Sequence, residues 1–353
     1  HTIKKEVTKL INIGIIGCGR IAQVRHIPEY DQNPDACIYG VYDMNEKRTE
    51  EIAAKYHAVP YKSYEDLLND EAIDAVSICT ANHSHCEISI KALKSGKHVL
   101  CEKPMAVTYD ECQAMVNAAK ETGKFLMIGQ QERLFPTHVK AKEILQSGAI
   151  GNVLSFHTNF RHSGPENWTV DRQKVWFFVK RSAAFGAMAD LGIHKADLIH
   201  YLLDDVIESA MAVTETLDKK NPDGTPIDVD DNAVCIFRTQ KGVIGTMEVS
   251  WTCYGQEDKS TIIYGTNGSL KINCDPQYPI ILEKKSGEQI NFDMKNYHSS
   301  QNGSGIIDTW MTCLTTNTPP LISGASSFES MKAVFAALES AEKRCVVNTK
   351  NLS

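Results

Sequence analysis

The chain of 353 residues has no run long and apolar enough to span a bilayer, no internal repeat and no low-complexity tract. Residues 2–10 are charged and lack the apolar core of a secretion signal. Positive charge is in deficit: 37 Lys and Arg stand against 44 Asp and Glu, a net charge of −7. No basic surface therefore advertises nucleic acid or anionic lipid. The eleven cysteines are odd in number and form no Cys-x-x-Cys pair, which argues against a disulfide framework and against a zinc site. They read instead as small buried hydrophobes in a reduced, cytoplasmic protein. Cys101, beside Lys103, reads as a strand-end core residue rather than a reactive thiol. What is present is a hydrophobic fraction of 42%, enough for an ordinary core, over a length that suggests two domains.

The first part alternates strand and helix. Apolar β-rich runs at 11–16, 36–42, 73–79, 97–101 and 125–129 are separated by helical patterns at 20–32, 45–57, 84–95 and 108–122. Such alternation implies a parallel sheet covered on both faces. After about residue 132 the pattern changes. A helix at 136–147 is followed by strands at 152–161, 206–217, 232–240, 243–252, 260–265, 269–273 and 279–283, and a last amphipathic helix spans 327–343. The expected fold is an N-terminal Rossmann-type α/β domain, residues 1–132, followed by an α+β domain, 133–353, with a large, mostly antiparallel open sheet. The last helix is free to pack back on the first domain. Residues 218–230 are the expected mobile loop.

Candidate chemistry lies where the parallel strands end. Gly17-Cys18-Gly19-Arg20-Ile21-Ala22 follows the first strand. Gly17 suits a tight turn, Gly19 lets a pyrophosphate approach the backbone, and Ala22 lets helix and strand pack closely. The new helix then aims free N–H groups at the phosphates. Asp43 ends the second strand, where a carboxylate can accept hydrogen bonds from both ribose hydroxyls. It would repel the 2′-phosphate of NADP, an effect Lys47 and Arg48 soften, and the balance favours NAD. Asp43 is equally placed to cap a helix. Thr80, Asn82 and His85 follow a further strand end and should face the cofactor. His83, His85 and Cys86 make a poor metal site, because two histidines only one residue apart do not set up a metal's ligand geometry. Glu102-Lys103-Pro104 places a lysine at the cleft, where it can bind a substrate hydroxyl. Asp190, His194, Asp197 and Tyr201 fall at helical spacing on one polar stripe, and a histidine beside a carboxylate suits proton transfer.

Gly17-x-Gly19-x-x-Ala22, Thr80-x-Asn82-x-x-His85, residues 96–104 ending in Glu102-Lys103-Pro104, and Asp190-x-Gly192-x-His194 together resemble the glucose–fructose oxidoreductase, inositol dehydrogenase and MocA family, over nearly the whole chain. The resemblance implies NAD(P)-dependent hydride transfer to or from a secondary alcohol of a sugar, inositol or related polyol. Carried over, Lys103 polarises the reacting hydroxyl, His194 is the general acid/base, and Asp190 orients substrate or His194. Family members differ on whether lysine or histidine takes the proton. The resemblance also implies a cis Lys103–Pro104 bond and association as a dimer or tetramer through the open sheet of the second domain, and the alternating apolar residues of 243–251 fit that face.

The chain departs from the family where a glycine triplet usually precedes the catalytic helix. Ala184-Phe185-Gly186 stands there, and the bulk of Phe185 implies either a narrowed substrate site or a shifted backbone. Ala81 stands where proline is common. Arg161, Trp168 and Arg172 are further substrate candidates, since Trp and Arg can stack on hydroxylated rings, although they fit equally well as plain loop residues. The same holds for His298 and Trp310, while Arg133 and Pro136 read as structural. Two other functions fit the resemblance: an NAD-dependent glycoside hydrolase that oxidises its substrate transiently, and a non-catalytic dinucleotide sensor or co-repressor. Retention of Lys103, Asp190 and His194 argues against the second.

Overall fold

The computed structural model describes residues 10–166, 168–170, 175–294 and 303–352. The candidates Arg172 and His298 lie outside them. Among the described residues the chain builds two sheets. The first is parallel throughout and contains β1 (Ile11–Ile16), β2 (Ala36–Tyr42), β3 (Val59–Pro60), β4 (Ala75–Ile78), β5 (His98–Cys101) and β6 (Leu126–Ile128). Its order is β3-β2-β1-β4-β5-β6, with the reversal between β1 and β4 where a doubly wound sheet opens a ligand crevice. The strands read as unbroken apolar runs because helices cover both faces. Those helices start where capping chemistry dictates. Asn45 accepts from the N–H of Arg48, Ser63 from that of Asp66, and Thr108 and Glu111 form a reciprocal capping box. Asp43 is thus not the helix cap, a role that falls to Asn45 two residues on.

The second sheet contains β7 (Val153–Arg161), β8 (Ile207–Glu215), β9 (Asn232–Thr239), β10 (Ile244–Ser250), β11 (Thr261–Gly265), β12 (Gly268–Ile272), β13 (Ile280–Lys284), β14 (Gln289–Phe292) and β15 (Val347–Asn348). Its order is β14-β13-β12-β11-β7-β10-β9-β8-β15, antiparallel except for the pair β7 and β10. One face packs on helices Ile193–Leu203 and Gly324–Lys343, and the other is open. The chain then returns to the first sheet. Ile306, Ile307, Trp310 and Met311 of helix Ile306–Thr316 pack with Ile13 and Tyr30. Trp310 is therefore core rather than a substrate contact. The start of the last helix also ties the two halves: the N–H of Ile128 donates to the carbonyl of Ile322 at 3.0 Å, and the rings of Tyr109 and Phe328 lie 5.0 Å apart.

Residues 218–230, expected to be mobile, are pinned. The carboxylate of Asp231 accepts from the N–H groups of Leu217, Asp218 and Lys219, and Lys220 bridges to Pro226. Asp230 reaches further, accepting from Gly186 at 2.9 Å and Met188 at 2.7 Å. A run of polar turn residues hides the role of Asp230, because its partners are backbone groups more than forty residues away.

Asp197, on the stripe read from the sequence, is fully buried. Arg133 grips it through Nε at 2.7 Å and Nη2 at 2.6 Å, and Ser330 donates to it at 3.0 Å. Removing one member of such a pair strands the other charge in the core. Asp197→Leu or Arg133→Met is expected to lower stability by about 3–5 kcal/mol, and the double replacement to recover most of the loss, as read from urea denaturation midpoints.

Candidate active site

A cleft of about 1300 Å³ runs along the carboxyl ends of β1, β4 and β5 and under the second domain. Gly17, Gly19, Arg20, Ile21, Asp43, Thr80, Asn82, Glu102 and Lys103 all line it. Gly17 has φ +90°, and a Cβ there would lie 2.8 Å from the backbone of Cys79, so the turn admits only glycine. A Cβ on Gly19 would meet nothing within 4 Å, which leaves bare backbone facing the cleft. The carboxylate of Asp43 accepts from the N–H of Cys18 at 2.7 Å and from Asn45 at 2.8 Å, and Arg48 pairs with it at 3.2 Å. The acid thus locks the glycine turn while its residue lines the cleft. A bare glycine backbone, a helix start behind it and an acid beside it fit a dinucleotide's pyrophosphate and ribose. Arg20 extends from the turn and lies 5.7 Å from the ring of Trp168, which also lines the cleft.

His85 does not line the cleft. It is fully buried behind it, with Nδ1 2.8 Å from the carbonyl of Pro104 and Nε2 3.1 Å from that of Thr80. It braces the loop after β5, whose Lys103–Pro104 bond is cis. Among the described residues no cluster of three metal-ligating side chains occurs. Cys101 is buried and its thiol pushed up by desolvation, so it is inert core.

Glu102 is a buried carboxylate at the floor of the cleft. Its Oε1 lies 2.9 Å from Nε2 of His26 and 3.8 Å from Arg25, and its Oε2 accepts from the N–H of Lys103 at 3.1 Å. Burial acts to raise its pKa, but the His26 hydrogen bond and the charges of His26, Arg25 and Lys103 prevail and hold it at about 2.

Lys103 crosses to the second domain. Its Nζ is 2.6 Å from Oδ1 of Asp190 and 3.0 Å from that residue's carbonyl. Asp190 sits in a wide π-turn, Met188–Gly192, that opens helix Ile193–Leu203. Such turns re-aim side chains at functional sites. The other oxygen of Asp190 accepts from the indole N–H of Trp251 at 3.2 Å. Both of its oxygens thus face partners other than His194, whose Nδ1 has no hydrogen-bond partner among the described residues. His194 lines the same cleft. Burial, followed by the charges of Lys103, Arg25, Lys195 and Lys259, holds its pKa well below the ordinary value, so its imidazole is neutral.

Two substrate candidates move away from the cleft. Arg161 points to the open side of the sheet and pairs with Glu248 at 3.3 Å. Side chains alternate along a strand, so its neighbour Phe160 takes the cleft-facing position. Phe185 packs on Phe335, with ring centroids 6.2 Å apart, and does not line the cleft. The lost glycines therefore leave the site untouched. Gly186, the one retained, stands where a Cβ would lie 1.7 Å from the carbonyl of Asp230. Sequence reasoning missed Arg25, Phe160, Trp176, Phe177, Glu257 and Lys259 as cleft residues. Only Phe160 carried a usable signal, in the period-two alternation of β7.

A glycine-turn dinucleotide cleft facing a lysine–aspartate pair and a neutral histidine across a domain boundary defines an NAD-binding oxidoreductase. Residues 11–130 match the oxidoreductase family with an NAD-binding Rossmann fold, and residues 138–271 match the GFO/IDH/MocA C-terminal domain. The chain belongs to the Gfo/Idh/MocA oxidoreductase family. The levoglucosan dehydrogenase of Pseudarthrobacter phenanthrenivorans is 32% identical over 60% of this chain, an alignment spanning only 58% of that protein. The myo-inositol 2-dehydrogenase of Thermotoga maritima is 25% identical over 95% of this chain and 97% of its own length. A solved levoglucosan dehydrogenase, in complex with NADH and levoglucosan, superposes with a TM-score of 0.85 at 25% identity, over 96% of this chain and 99% of that one.

Buried neutral histidines make this site acid-sensitive. Desolvation holds His85, His138, His194 and His200 below the ordinary 6.5, with His200 at about 3. The unfolded chain therefore binds more protons than the folded one below about pH 6.5, and stability must fall as pH drops toward 3. Urea midpoints measured from about pH 7 down to about pH 5 should decrease steadily, and His200→Gln should flatten the slope.

Proposed function

We propose that the protein is an NAD-dependent dehydrogenase acting on a secondary alcohol of a neutral ring-form sugar, inositol or related polyol. The observation that carries the reading is the ammonium group of Lys103, 2.6 Å from Asp190, in the same cleft as His194 and the glycine turn. The backbone at Gly17 and Gly19 would cradle the pyrophosphate and Asp43 the adenosine ribose. When bound, NAD accepts or returns a hydride. Lys103, anchored by Asp190, donates a hydrogen bond to the reacting oxygen and stabilises negative charge on it. His194, held neutral, is the group free to take the proton, since a neutral imidazole has a ring nitrogen lone pair to bind it. Trp176 and Phe177, stacked at 3.9 Å between centroids, offer an apolar wall to the C–H face of a ring.

We place the protein in the cytoplasm. Its eleven cysteines are all free, and among the described residues no helix is long and apolar enough to cross a membrane. We also propose a homo-oligomer built on the open sheet face, where Val213 lies opposite Val234 and Met211 opposite Ile236, all large apolar side chains left exposed. Val234→Lys with Ile236→Glu should convert the assembly to monomer by light scattering. A wild-type monomer at micromolar concentration would refute the assignment.

The activity is tested by NADH absorbance with NAD⁺ and myo-inositol, levoglucosan or glucose. Lys103→Met should lower turnover about 10²- to 10⁴-fold while leaving NAD⁺ binding intact. Product release with no net NADH would instead identify transient oxidation of the hydrolase kind. Silence across the panel with NAD⁺ still bound would point to a sensor.

A further inference from the structure

Trp251 follows β10, and its side chain is fully buried. It does not line the cleft. Its backbone N–H donates to the carbonyl of Asp231 at 2.8 Å, and its ring is held by Phe178 at 6.0 Å and, edge-on, by Phe177 at 6.4 Å. A buried indole N–H needs an acceptor. This one takes Oδ2 of Asp190 at 3.2 Å, the oxygen that Lys103 leaves free.

We propose that Trp251 is a positioning residue for the Lys103–Asp190 pair, its indole N–H fixing the plane of the Asp190 carboxylate so that Oδ1 faces the lysine. The inference rests on the reading of Lys103 and Asp190 as reaction machinery. The carboxylate can rotate about its last bond, and its backbone lies in a widened turn that does not itself set that rotation. The lysine is bound to the other oxygen and must also release toward substrate. A second donor that does not take part in the reaction keeps Asp190 in place when Lys103 shifts. The tryptophan ring, wedged by two phenylalanines, is rigid enough to serve as that donor. Phe177 also belongs to the cleft wall, so the ring that steadies the acid is itself steadied by the surface that would meet substrate.

The test reads Lys103 directly and needs no substrate. Competitive acetylation with acetic anhydride, quantified by mass spectrometry, reports how firmly the Lys103 amine is held, with Lys259 in the same cleft as internal reference. Trp251→Phe should raise the relative acetylation rate of Lys103 about three- to tenfold, a part of what one hydrogen bond to a charged group is worth, because the loss reaches the lysine only through the carboxylate. Replacement of Trp251 by 3-benzothienylalanine, which has the same shape without the N–H, should give the same increase and removes the objection that phenylalanine leaves a void. In an Asp190→Ala background neither change should alter Lys103 further, because the effect runs through the carboxylate. NAD⁺ affinity should stay within about twofold throughout. A wild-type Lys103 rate in the benzothienylalanine protein, or an increase that persists without Asp190, overturns the proposal. Because these measurements involve no turnover, a failed dehydrogenase assay and a failed role for Trp251 remain separate results.

Discussion

The contact between Lys103 and Asp190 is where two separately built sheets have to agree. The lysine leaves the end of β5 in the parallel sheet, and the aspartate opens a helix packed on the second sheet, yet their charged atoms lie 2.6 Å apart. Each side carries its own scaffold. On the first, Glu102 holds the backbone of Lys103 and is itself held by His26 and Arg25. On the second, Asp230 fixes the backbone at Gly186 and Met188, and Trp251 takes the far oxygen of Asp190. Arg133 and Asp197, joined one helical region away, clamp the same two halves from behind. The site is as rigid as these buried polar contacts, each of which is costly to leave half-made.

The electrostatics divide the cleft into unlike parts. Charges cluster around Glu102, Lys103 and Asp190, each with a partner at bonding distance. His194 shares the cleft, and its desolvated ring, followed by the charges of Lys103, Arg25, Lys195 and Lys259, holds its pKa well below the ordinary value. The neutral imidazole and the lysine–aspartate pair thus share one cleft.

Much of this was legible in the residues. β1 and β2 fall on the runs 11–16 and 36–42, since buried parallel strands write themselves as unbroken apolar stretches. The glycine turn, Asp43, Lys103, Asp190 and His194 were each visible through strand ends and spacing. What escaped had physical reasons. β3 and helix Tyr64–Asn69 are too short to show a period. The last helix starts at Gly324, three residues before the expected start at 327, because its first turn carries small and polar residues and no apolar stripe. Arg161 was chosen over Phe160 because chemistry was weighed ahead of alternation. His85 was placed against the cofactor because loop position does not say which way a ring turns. Trp251, Glu257 and Lys259 reach the site only through tertiary packing, and no local pattern announces that.

The segment 217–231 has a consequence of its own. Through Asp230 it sets the start of the helix that carries Asp190 and His194, and through Lys219, bonded to the carbonyl of Ser163 and to Glu166, it sets the turn that borders the cleft beside His162. Recognition and chemistry hang from one strap. A change of length or sequence there would drag the cleft wall and the turn that carries Asp190 together, so the freedom of a surface loop to vary is curtailed in this chain. New specificity would have to come from side chains that point into the cleft, such as Trp176, Glu257 and Lys259, with the strap left alone.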